Sequence, residues 1–333
     1  MSRKSERDAG SGQRPWVARR VRVRVPATCA NLGPGFDCLA LALALHNEFE
    51  AHLLAGDAGA QPPVVVTGAP VDTSQIATDA SNLFVRAFGA LCERIGVRPP
   101  PLAVQIAVHL PPGRGLGSSA TAVVGGILAA NALCGDPLST GELLELAVAC
   151  EQGGHADNVA AALLGGLVVT GARDAANRLT AISLPVPDAL RAVLFIPDTP
   201  MSTVQGRALL PVAYPREDVT FNLSRVALLL GALQTERYEL LATAMGDRIH
   251  QPYRARVFPA LDALVAAAQA AGAHGACLSG GGSSVLALAT SHTEAIRLAM
   301  EARARALGVS GRGLITSIAR DGAQATVLDE TRE

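Results

Sequence analysis

The chain has 333 residues, which is long for a single hydrophobic core and comfortable for two domains. Hydrophobic residues make up 49% of it and charged residues 17%, a balance typical of an ordinary globular protein. The formal net charge of −1 offers no general attraction for nucleic acid or for an anionic membrane surface. These totals favour small-molecule partners, and we expect no nucleic-acid or membrane partner.

The cysteines and the apolar stretches indicate the compartment. None of the six cysteines forms a C-x-x-C pair, so zinc and thiol-redox motifs are absent from the sequence. There is no secretory hydrophobic segment, and the longest small-apolar stretches, near 120–134 and 159–171, are interrupted and too short for a membrane span. We therefore predict buried free thiols, a cytoplasmic location and no transmembrane helix.

The first third of the chain is predicted to be mostly β-structure. Residues 1–16 lack apolar periodicity and are predicted to be a disordered leader, whereas alternation from 17 to 25 predicts a strand. Turn formers at 26–37 accompany a Phe and a lone carboxylate, which favours a binding loop. Further elements are predicted as strands at 38–45 and 48–54, a turn at 56–60 and a strand at 64–67.

The middle of the chain alternates helical and strand patterns. The predicted elements are a helix at 81–94, a strand at 102–110, helices near 118–134 and 139–150, an apolar segment at 159–164 and a strand at 165–169. Residues 171–178 are polar and irregular. We place the boundary there, between an N-terminal domain at 17–173 and a C-terminal domain at 174–325.

The C-terminal half mixes the two element types. Strands are predicted at 179–184, 191–196, 274–279, 284–289 and 313–319, and helices at 202–210, 217–232, 235–249, after Pro259 and at 293–306. This order predicts an α+β fold and not a doubly wound parallel sheet.

A glycine-rich stretch between the predicted strand at 102–110 and the helix near 118–134 is the strongest functional signal. Gly113, Gly115 and Gly117 occupy three of five positions, so the backbone can turn sharply and bring its N–H groups close to a ligand. Ser118 and Ser119 then lie where a helix begins, with its unpaired amides and the positive end of its dipole. This arrangement predicts an anion site and favours phosphate as the anion.

Other interpretations of this stretch are possible. A Walker A loop would need Gly-Lys-Ser/Thr, but Lys4 is the single lysine of the chain. A dinucleotide fingerprint is nearly matched from Gly113 to Ser118, with Asp136 about 20 residues further on, yet Asp136 precedes Pro137 between two helical patterns instead of ending a strand. A tight turn with no ligand is the third possibility.

The contiguous segment Pro-x-x-x-Gly-Leu-Gly-Ser-Ser-Ala, from Pro111 to Ala120, resembles the phosphate loop of the GHMP kinases. This superfamily includes galactokinase, homoserine kinase and mevalonate kinase. The resemblance implies that ATP is bound by Pro111, Pro112, Gly113, Arg114, Gly115, Leu116, Gly117, Ser118, Ser119, Ala120 and Thr121.

The same resemblance implies a Mg²⁺ site, which in phosphoryl transfer takes hard oxygen ligands. It assigns Ser119 and Glu151 as the protein ligands. Many homoserine kinases have Glu-Gly-His where this chain has Glu151 four residues before His155, so a helix-terminal surface acid is the alternative role for Glu151.

Two further segments resemble the homoserine kinase family within that superfamily. They are Asn-Leu-Gly-Pro-Gly-Phe-Asp at 31–37 and His-Ala-Asp-Asn-Val at 155–159. The resemblance implies a two-domain α+β fold, N-terminally like ribosomal protein S5 domain 2 and C-terminally ferredoxin-like. It also implies ATP-dependent phosphorylation of the L-homoserine hydroxyl in threonine biosynthesis, and a homodimer.

An amino-acid acceptor requires a carboxylate for its ammonium group and guanidinium for its carboxylate. By resemblance, Asp37 would bind the ammonium group, and Asn31 and Asn158 would orient the hydroxyl. Arg207 and Arg254 match the family's carboxylate-binding arginines, although an arginine alone is more often a solvated surface charge. The remaining site residues implied are Thr203 and His155 as supporting groups and Asp157 as a possible base.

A third segment, at 275–284, resembles the family's Leu-Ser-Gly-Ser-Gly-Pro-Thr with Gly281 in place of Ser and Ser283 in place of Pro. It could support the phosphate loop or be a simple hairpin turn. Three other functions remain open: a sister GHMP kinase, an NAD-dependent oxidoreductase, and a non-catalytic protein of the same fold.

Overall fold

The computed structural model describes residues 16–55, 64–68, 71–151 and 153–328. Residues 1–15 of the predicted leader and the predicted turn at 56–60 lie outside the described residues. Trp16, the last residue of that leader, stacks on Phe88 with the ring centroids 6.0 Å apart.

The described chain contains eleven strands and ten α-helices. The strands are β1 Arg20–Asn31, β2 Gly35–Leu53, β3 Val64–Thr67, β4 Leu102–Ala107, β5 Leu167–Thr170, β6 Ala181–Leu184, β7 Arg191–Pro197, β8 Gly275–Leu278, β9 Val285–Ala289, β10 Gly311–Ser317 and β11 Gln324–Val327. The helices are α1 Leu83–Arg94, α2 Ser118–Leu133, α3 Thr140–Cys150, α4 Asp157–Leu164, α5 Thr203–Ala208, α6 Arg216–Gln234, α7 Leu241–Ala244, α8 Gln251–Arg254, α9 Leu261–Ala270 and α10 Thr293–Ala306, with a 3-10 turn at Tyr238–Leu240.

Two sheets organise these elements. The first has the order β11-β1-β2-β4-β3, with β5 pairing both β2 and β6, and the second has the order β10-β7-β9-β8. Among the described strands, only β3 and β4 run parallel. The predicted α+β class is therefore confirmed. A dinucleotide-binding unit would require a parallel sheet, whereas the glycine-rich loop follows β4 of a mostly antiparallel sheet.

The predicted division at 173/174 stays a prediction. Strands β6 and β11 follow residue 173 in the chain but belong to the first sheet. No pattern predicted β11, which is short and exposed and pairs with β1.

The predicted loop at 26–37 is wrong as a loop. Strand β1 continues to Asn31 and β2 begins at Gly35, so that the chain turns within three residues. The predicted strands at 38–45 and 48–54 are one strand, and the register of β2 against β1 shifts between Pro26 and Ala27. Turn-forming residues mark the end of a hairpin and a bulge here, because burial on both faces favours pairing over an open loop.

The structure assigns a helix to one apolar segment and corrects one helix prediction. The apolar segment at 159–164 is part of helix α4, which begins earlier, at Asp157. The predicted helix at 235–249 is replaced by the 3-10 turn and the four-residue α7. Asp247 accepts hydrogen bonds from the backbone N–H groups of residues 249, 250 and 251, and this local pairing competes with a continuous helix.

Three buried clusters hold the fold together. One lies between the first sheet and helices α1 to α4, and another lies between the second sheet and helices α9 and α10. The third joins the two sheets and includes Leu39, Leu116, Leu194 and Leu286. Because the glycine-rich loop contributes Leu116 to this shared cluster, the loop is anchored where the two sheets meet. Within the described ranges, no helix is long and apolar enough to cross a membrane.

Candidate functional site

The glycine-rich loop leaves the end of β4 and enters α2. Gly113, Gly115 and Gly117 all have positive φ, at 68°, 72° and 70°. Gly117 is the N-cap of α2, and no side chain caps the helix. The first N–H groups of α2 are therefore available to an anion, which agrees with the predicted phosphate site.

The loop rests on the turn between β8 and β9. The hydroxyl of Ser279 donates to the carbonyl of Gly115 at 2.6 Å, and the backbone N–H of Ser284 donates to the carbonyl of Arg114 at 3.1 Å. A Cβ atom on Gly115 would overlap the carbonyl oxygen of Ser279. Glycine at this position is thus required by both its φ and its neighbour.

Several loop residues can offer only their backbone to a ligand. The guanidinium of Arg114 donates to the carbonyl oxygens of Pro112, Pro197 and Asp198, which turns the one cation of the loop toward β7. The side chains of Leu116, Ala120 and Thr121 are buried, at 0–1% exposure.

Ser119 and Glu151 meet beside the loop. The Ser119 hydroxyl donates to Oε1 of Glu151 at 2.7 Å, and Oε2 is buried without a hydrogen-bond partner. Burial raises the pKa of Glu151, and the hydrogen bond from Ser119 opposes that increase. A hydroxyl and a carboxylate with an unsatisfied oxygen are suitable ligands for Mg²⁺. The described residues contain no group of three His, Cys, Asp or Glu that could hold a metal ion by themselves.

Asp37 and Arg207 form a bidentate ion pair at the predicted acceptor site. The two guanidinium nitrogens of Arg207 lie 2.6 and 2.9 Å from the two oxygens of Asp37. Nδ1 of His155 lies 3.6 Å from the same carboxylate. Burial lowers the pKa of His155, while Asp37 acts in the opposite direction.

The carbonyl of Gly280, in the turn after β8, joins two other predicted site residues. It accepts hydrogen bonds from Nδ2 of Asn31 at 2.9 Å and from Nη1 of Arg254 at 3.0 Å. Oδ1 of Asn31 in turn accepts the backbone N–H of Asp37 at 3.1 Å. Arg254 is 1% exposed, and burial followed by repulsion from Arg207 lowers its pKa to about 10.

Two residues that contact the predicted acceptor residues were not assigned a role from the sequence. Nε2 of His250 donates to the carbonyl of Gly33 at 2.7 Å, and its Nδ1 accepts from Arg254 at 2.9 Å. Burial lowers the pKa of His250 to about 4, so the ring is neutral and able to accept. The Phe36 ring stacks on His250, with the guanidinium of Arg254 5.5 Å from its centroid. The signal for Phe36 was its position beside Asp37.

Asn158 is linked to the glycine-rich loop through Thr28. Its Oδ1 accepts a hydrogen bond from the hydroxyl of Thr28 at 2.7 Å, and the backbone N–H of Thr28 donates to the carbonyl of Leu116 at 3.1 Å.

Asp157 begins α4 and is 3% exposed, and burial raises the pKa of its carboxyl to about 6. Thr203 is the first residue of α5, the helix that carries Arg207.

The buried side-chain atoms that lack a partner are concentrated here. Among the described residues there are five such atoms, and four belong to this site: Glu151 Oε2, Arg207 Nε, Arg254 Nε and Ser284 Oγ. Since buried polar groups are normally satisfied, their concentration indicates a place where a polar ligand completes the structure.

The chain matches two family models, the GHMP kinases N terminal domain over residues 82–166 and the GHMP kinases C terminal over residues 229–306. These matches and the architecture identify the class as the GHMP kinases. Homoserine kinase of Trichormus variabilis is 42% identical over 93% of this chain and 99% of the relative. Homoserine kinase of Gloeobacter violaceus is 48% identical over 84% of this chain and 91% of the relative.

Solved structures agree with these relatives. The crystal structure of homoserine kinase from Cytophaga hutchinsonii matches with a TM-score of 0.81 and 29% identity, over 93% of this chain and 98% of that one. Mevalonate kinase of L. major, at 19% identity and a TM-score of 0.68, shares the fold. The chain belongs to the homoserine kinase family, and the predicted resemblance and GHMP kinase fold are confirmed.

Proposed function

We propose that this protein transfers the γ-phosphoryl group of ATP to the side-chain hydroxyl of L-homoserine, giving ADP and O-phospho-L-homoserine for threonine biosynthesis. The observation that carries the proposal is the convergence of Asp37, Arg207 and Arg254. Asp37 pairs with Arg207, and both guanidinium groups lie over the Phe36 ring. Arg254 also donates to Gly280, in the turn on which the glycine-rich loop rests. A carboxylate and two arginines match the charges of an amino-acid zwitterion. A sugar or a mevalonate acceptor has no ammonium group to use Asp37.

In the proposed complex, the ammonium group of homoserine binds Asp37, and its carboxylate binds Arg207 and Arg254. The Nε atoms of both arginines are unpartnered. Asn31 and Asn158 orient the hydroxyl, as the family resemblance implies. Asn31 accepts the backbone N–H of Asp37, and Asn158 accepts the hydroxyl of Thr28, whose backbone N–H donates to the carbonyl of Leu116 in the loop. Thr203 and His155 are the supporting residues that the family resemblance implies.

ATP phosphates would bind the backbone N–H groups of the loop and of the first turn of α2. Ser119 and Glu151 would hold Mg²⁺, and their 2.7 Å contact and the free Glu151 oxygen fit that role. When bound, Mg²⁺ supplies positive charge that neutralises the phosphate oxygens. The protein contributes the alignment of the hydroxyl with the phosphate.

The hydroxyl of homoserine loses its proton during the transfer, and Asp157 or solvent takes it. A carboxyl with a pKa of about 6 is half ionised at that pH and mostly ionised at neutral pH, where it can accept a proton. We further propose a cytoplasmic homodimer, as the cysteine pattern and the family resemblance suggest.

The test is ADP release with Mg·ATP across L-homoserine, D-homoserine, L-serine, mevalonate and galactose. We expect release with L-homoserine only, with the phosphate on its hydroxyl by ³¹P NMR. Activity on mevalonate or galactose would keep the class and refute the acceptor. Binding of ATP without turnover of any acceptor would favour a non-catalytic protein.

A further inference from the structure

Asn47 is a buried polar residue of β2 that no functional assignment above uses. Its side chain is 2% exposed, and it lies one residue before Glu48, which pairs with Ala107 at the end of β4. Strand β2 therefore continues at the point where β4 ends and the chain leaves the sheet to form the glycine-rich loop.

The carbonyl oxygen of the Asn47 side chain holds the beginning of the loop. It accepts the backbone N–H of His109 at 2.9 Å and that of Leu110 at 3.2 Å. These N–H groups follow the last residue of β4, so no neighbouring strand that the structure describes accepts a hydrogen bond from them. Leu110 is also fully buried. A buried N–H group requires a substitute acceptor, and Asn47 provides it.

The amide nitrogen of the same side chain holds the other end. Nδ2 of Asn47 donates to Oγ1 of Thr121 at 2.9 Å, and this hydroxyl donates to the carbonyl of Ser118 at 2.8 Å. Thr121 is 0% exposed, so water does not compete for the contact. The chain of hydrogen bonds reaches the residue with which α2 begins.

We infer that Asn47 is a positioning residue for nucleotide binding, which it serves by fixing the spacing between the two ends of the phosphate loop. The inference rests on the proposed function. It follows because the loop binds through backbone N–H groups, whose directions depend on where both of its ends are held. The contacts from Ser279 and Ser284 reach only the middle of the loop.

A matched control distinguishes positioning from general stabilisation. Asn131 is another buried asparagine, in α2 itself, at 3% exposure. Its Oδ1 accepts the N–H of Leu138 at 3.1 Å, and its Nδ2 donates to Asp136 at 3.0 Å, at the helix end away from the loop. Asn131→Ala removes comparable hydrogen bonds without touching the loop.

The experiment measures Kd for Mg·ATP by calorimetry, KM for each substrate and thermal midpoints. We expect Asn47→Ala and Asn131→Ala to lower the midpoint alike, while only Asn47→Ala weakens ATP binding. A weakening of about tenfold is expected because part of the free energy of its three hydrogen bonds holds the loop in its binding conformation. The KM for homoserine should change by no more than about twofold.

A second pair keeps the inference testable if Asn47→Ala does not fold. Thr121→Val removes the hydroxyl with little change in shape and should weaken ATP binding. Thr121→Ser keeps the hydroxyl and should bind ATP as the wild type does. Unchanged ATP affinity in the Asn47→Ala or Thr121→Val protein, or an equal loss in Asn131→Ala, would overturn the inference. Failure of the wild-type protein to bind ATP would instead refute the proposed function, and the inference with it.

Discussion

Replacing the buried carboxyl of Asp157 is predicted to change stability in a pH-dependent way. Burial raises the pKa of this group from 3.8 to about 6, and the neighbouring Asp37 adds to the increase. The hydrogen bond from the N–H of Asn158, 2.8 Å from Oδ1, acts in the opposite direction. The difference between the two pKa values corresponds to about 3 kcal/mol of folding free energy.

The sign follows from proton binding. Below pH 3.8 the carboxyl is protonated in both the folded and the unfolded chain, so the folded protein avoids the cost of a buried charge and its free energy of unfolding is at its full value. As the pH rises toward about 6, the unfolded chain releases this proton first, so the free energy of unfolding falls. Above that range the folded protein holds an ionised, buried carboxylate at a cost of about 3 kcal/mol.

The variant Asp157→Asn keeps an oxygen that can accept the N–H of Asn158 but cannot ionise. We expect it to be more stable than the wild type by up to about 3 kcal/mol at pH 8, and to match it near pH 4. Urea unfolding of both proteins at several pH values measures the difference and cancels the titration of all other groups. A difference that does not change with pH would refute the reasoning.

The kinetic consequence is separate from stability. If the Asp157 carboxylate takes the proton of the homoserine hydroxyl, kcat of the wild type should rise with pH through about 6. The Asp157→Asn variant should lose that rise. A wild-type profile that stays flat between pH 5 and 8 would leave alignment, not proton abstraction, as the protein's contribution.

Three further predictions follow from the site. Asp37→Asn should raise the KM for homoserine about tenfold or more with an unchanged Kd for ATP, because the ammonium contact and the ion pair with Arg207 are weakened while the glycine-rich loop is untouched; equal losses would contradict the pocket. Gly115→Ala should abolish ATP binding, since its Cβ would overlap the carbonyl of Ser279. Gly89→Ala, with nothing within 4 Å of its Cβ, should bind ATP normally and serves as its control. Glu151→Gln should raise the Mg²⁺ concentration for half-maximal rate about tenfold, and an unchanged requirement would remove Glu151 from the metal site.

The glycine-rich loop could be predicted because its signal is local. The glycines at 113, 115 and 117 allow left-handed backbone, and the helix begins at Ser118 as predicted, with Gly117 instead of a serine as its N-cap. The structure has both features where the sequence indicates them. The predicted acceptor residues came from short segments that lie far apart in the chain, and only the fold brings Asp37 and Arg207 within 2.6 Å.

The remaining parts could not be predicted because they depend on contacts between distant segments. Turn-forming residues such as those at 26–37 occur both in open loops and at the ends of long hairpins. The pairing between β1 and β2 determines that this segment is the end of a hairpin. A single asparagine or histidine carries no periodic signal. Asn47 and His250 acquire their roles only from the backbone groups that tertiary packing places beside them.

The turn between β8 and β9 explains why departures from the family pattern at Gly281 and Ser283 need not disturb the site. The links to Asn31 and Arg254 use the backbone carbonyl of Gly280, which any neighbouring side chain would leave in place. At position 283, where the family pattern has proline, the hydroxyl of serine donates to the carbonyl of Thr199 at 2.7 Å. This hydrogen bond holds the turn against the segment that follows β7, so the serine provides a restraint in place of the proline ring. Because Asn31, Arg254 and the glycine-rich loop are all attached to this turn, we expect its position to set the distance between the predicted acceptor residues and the loop.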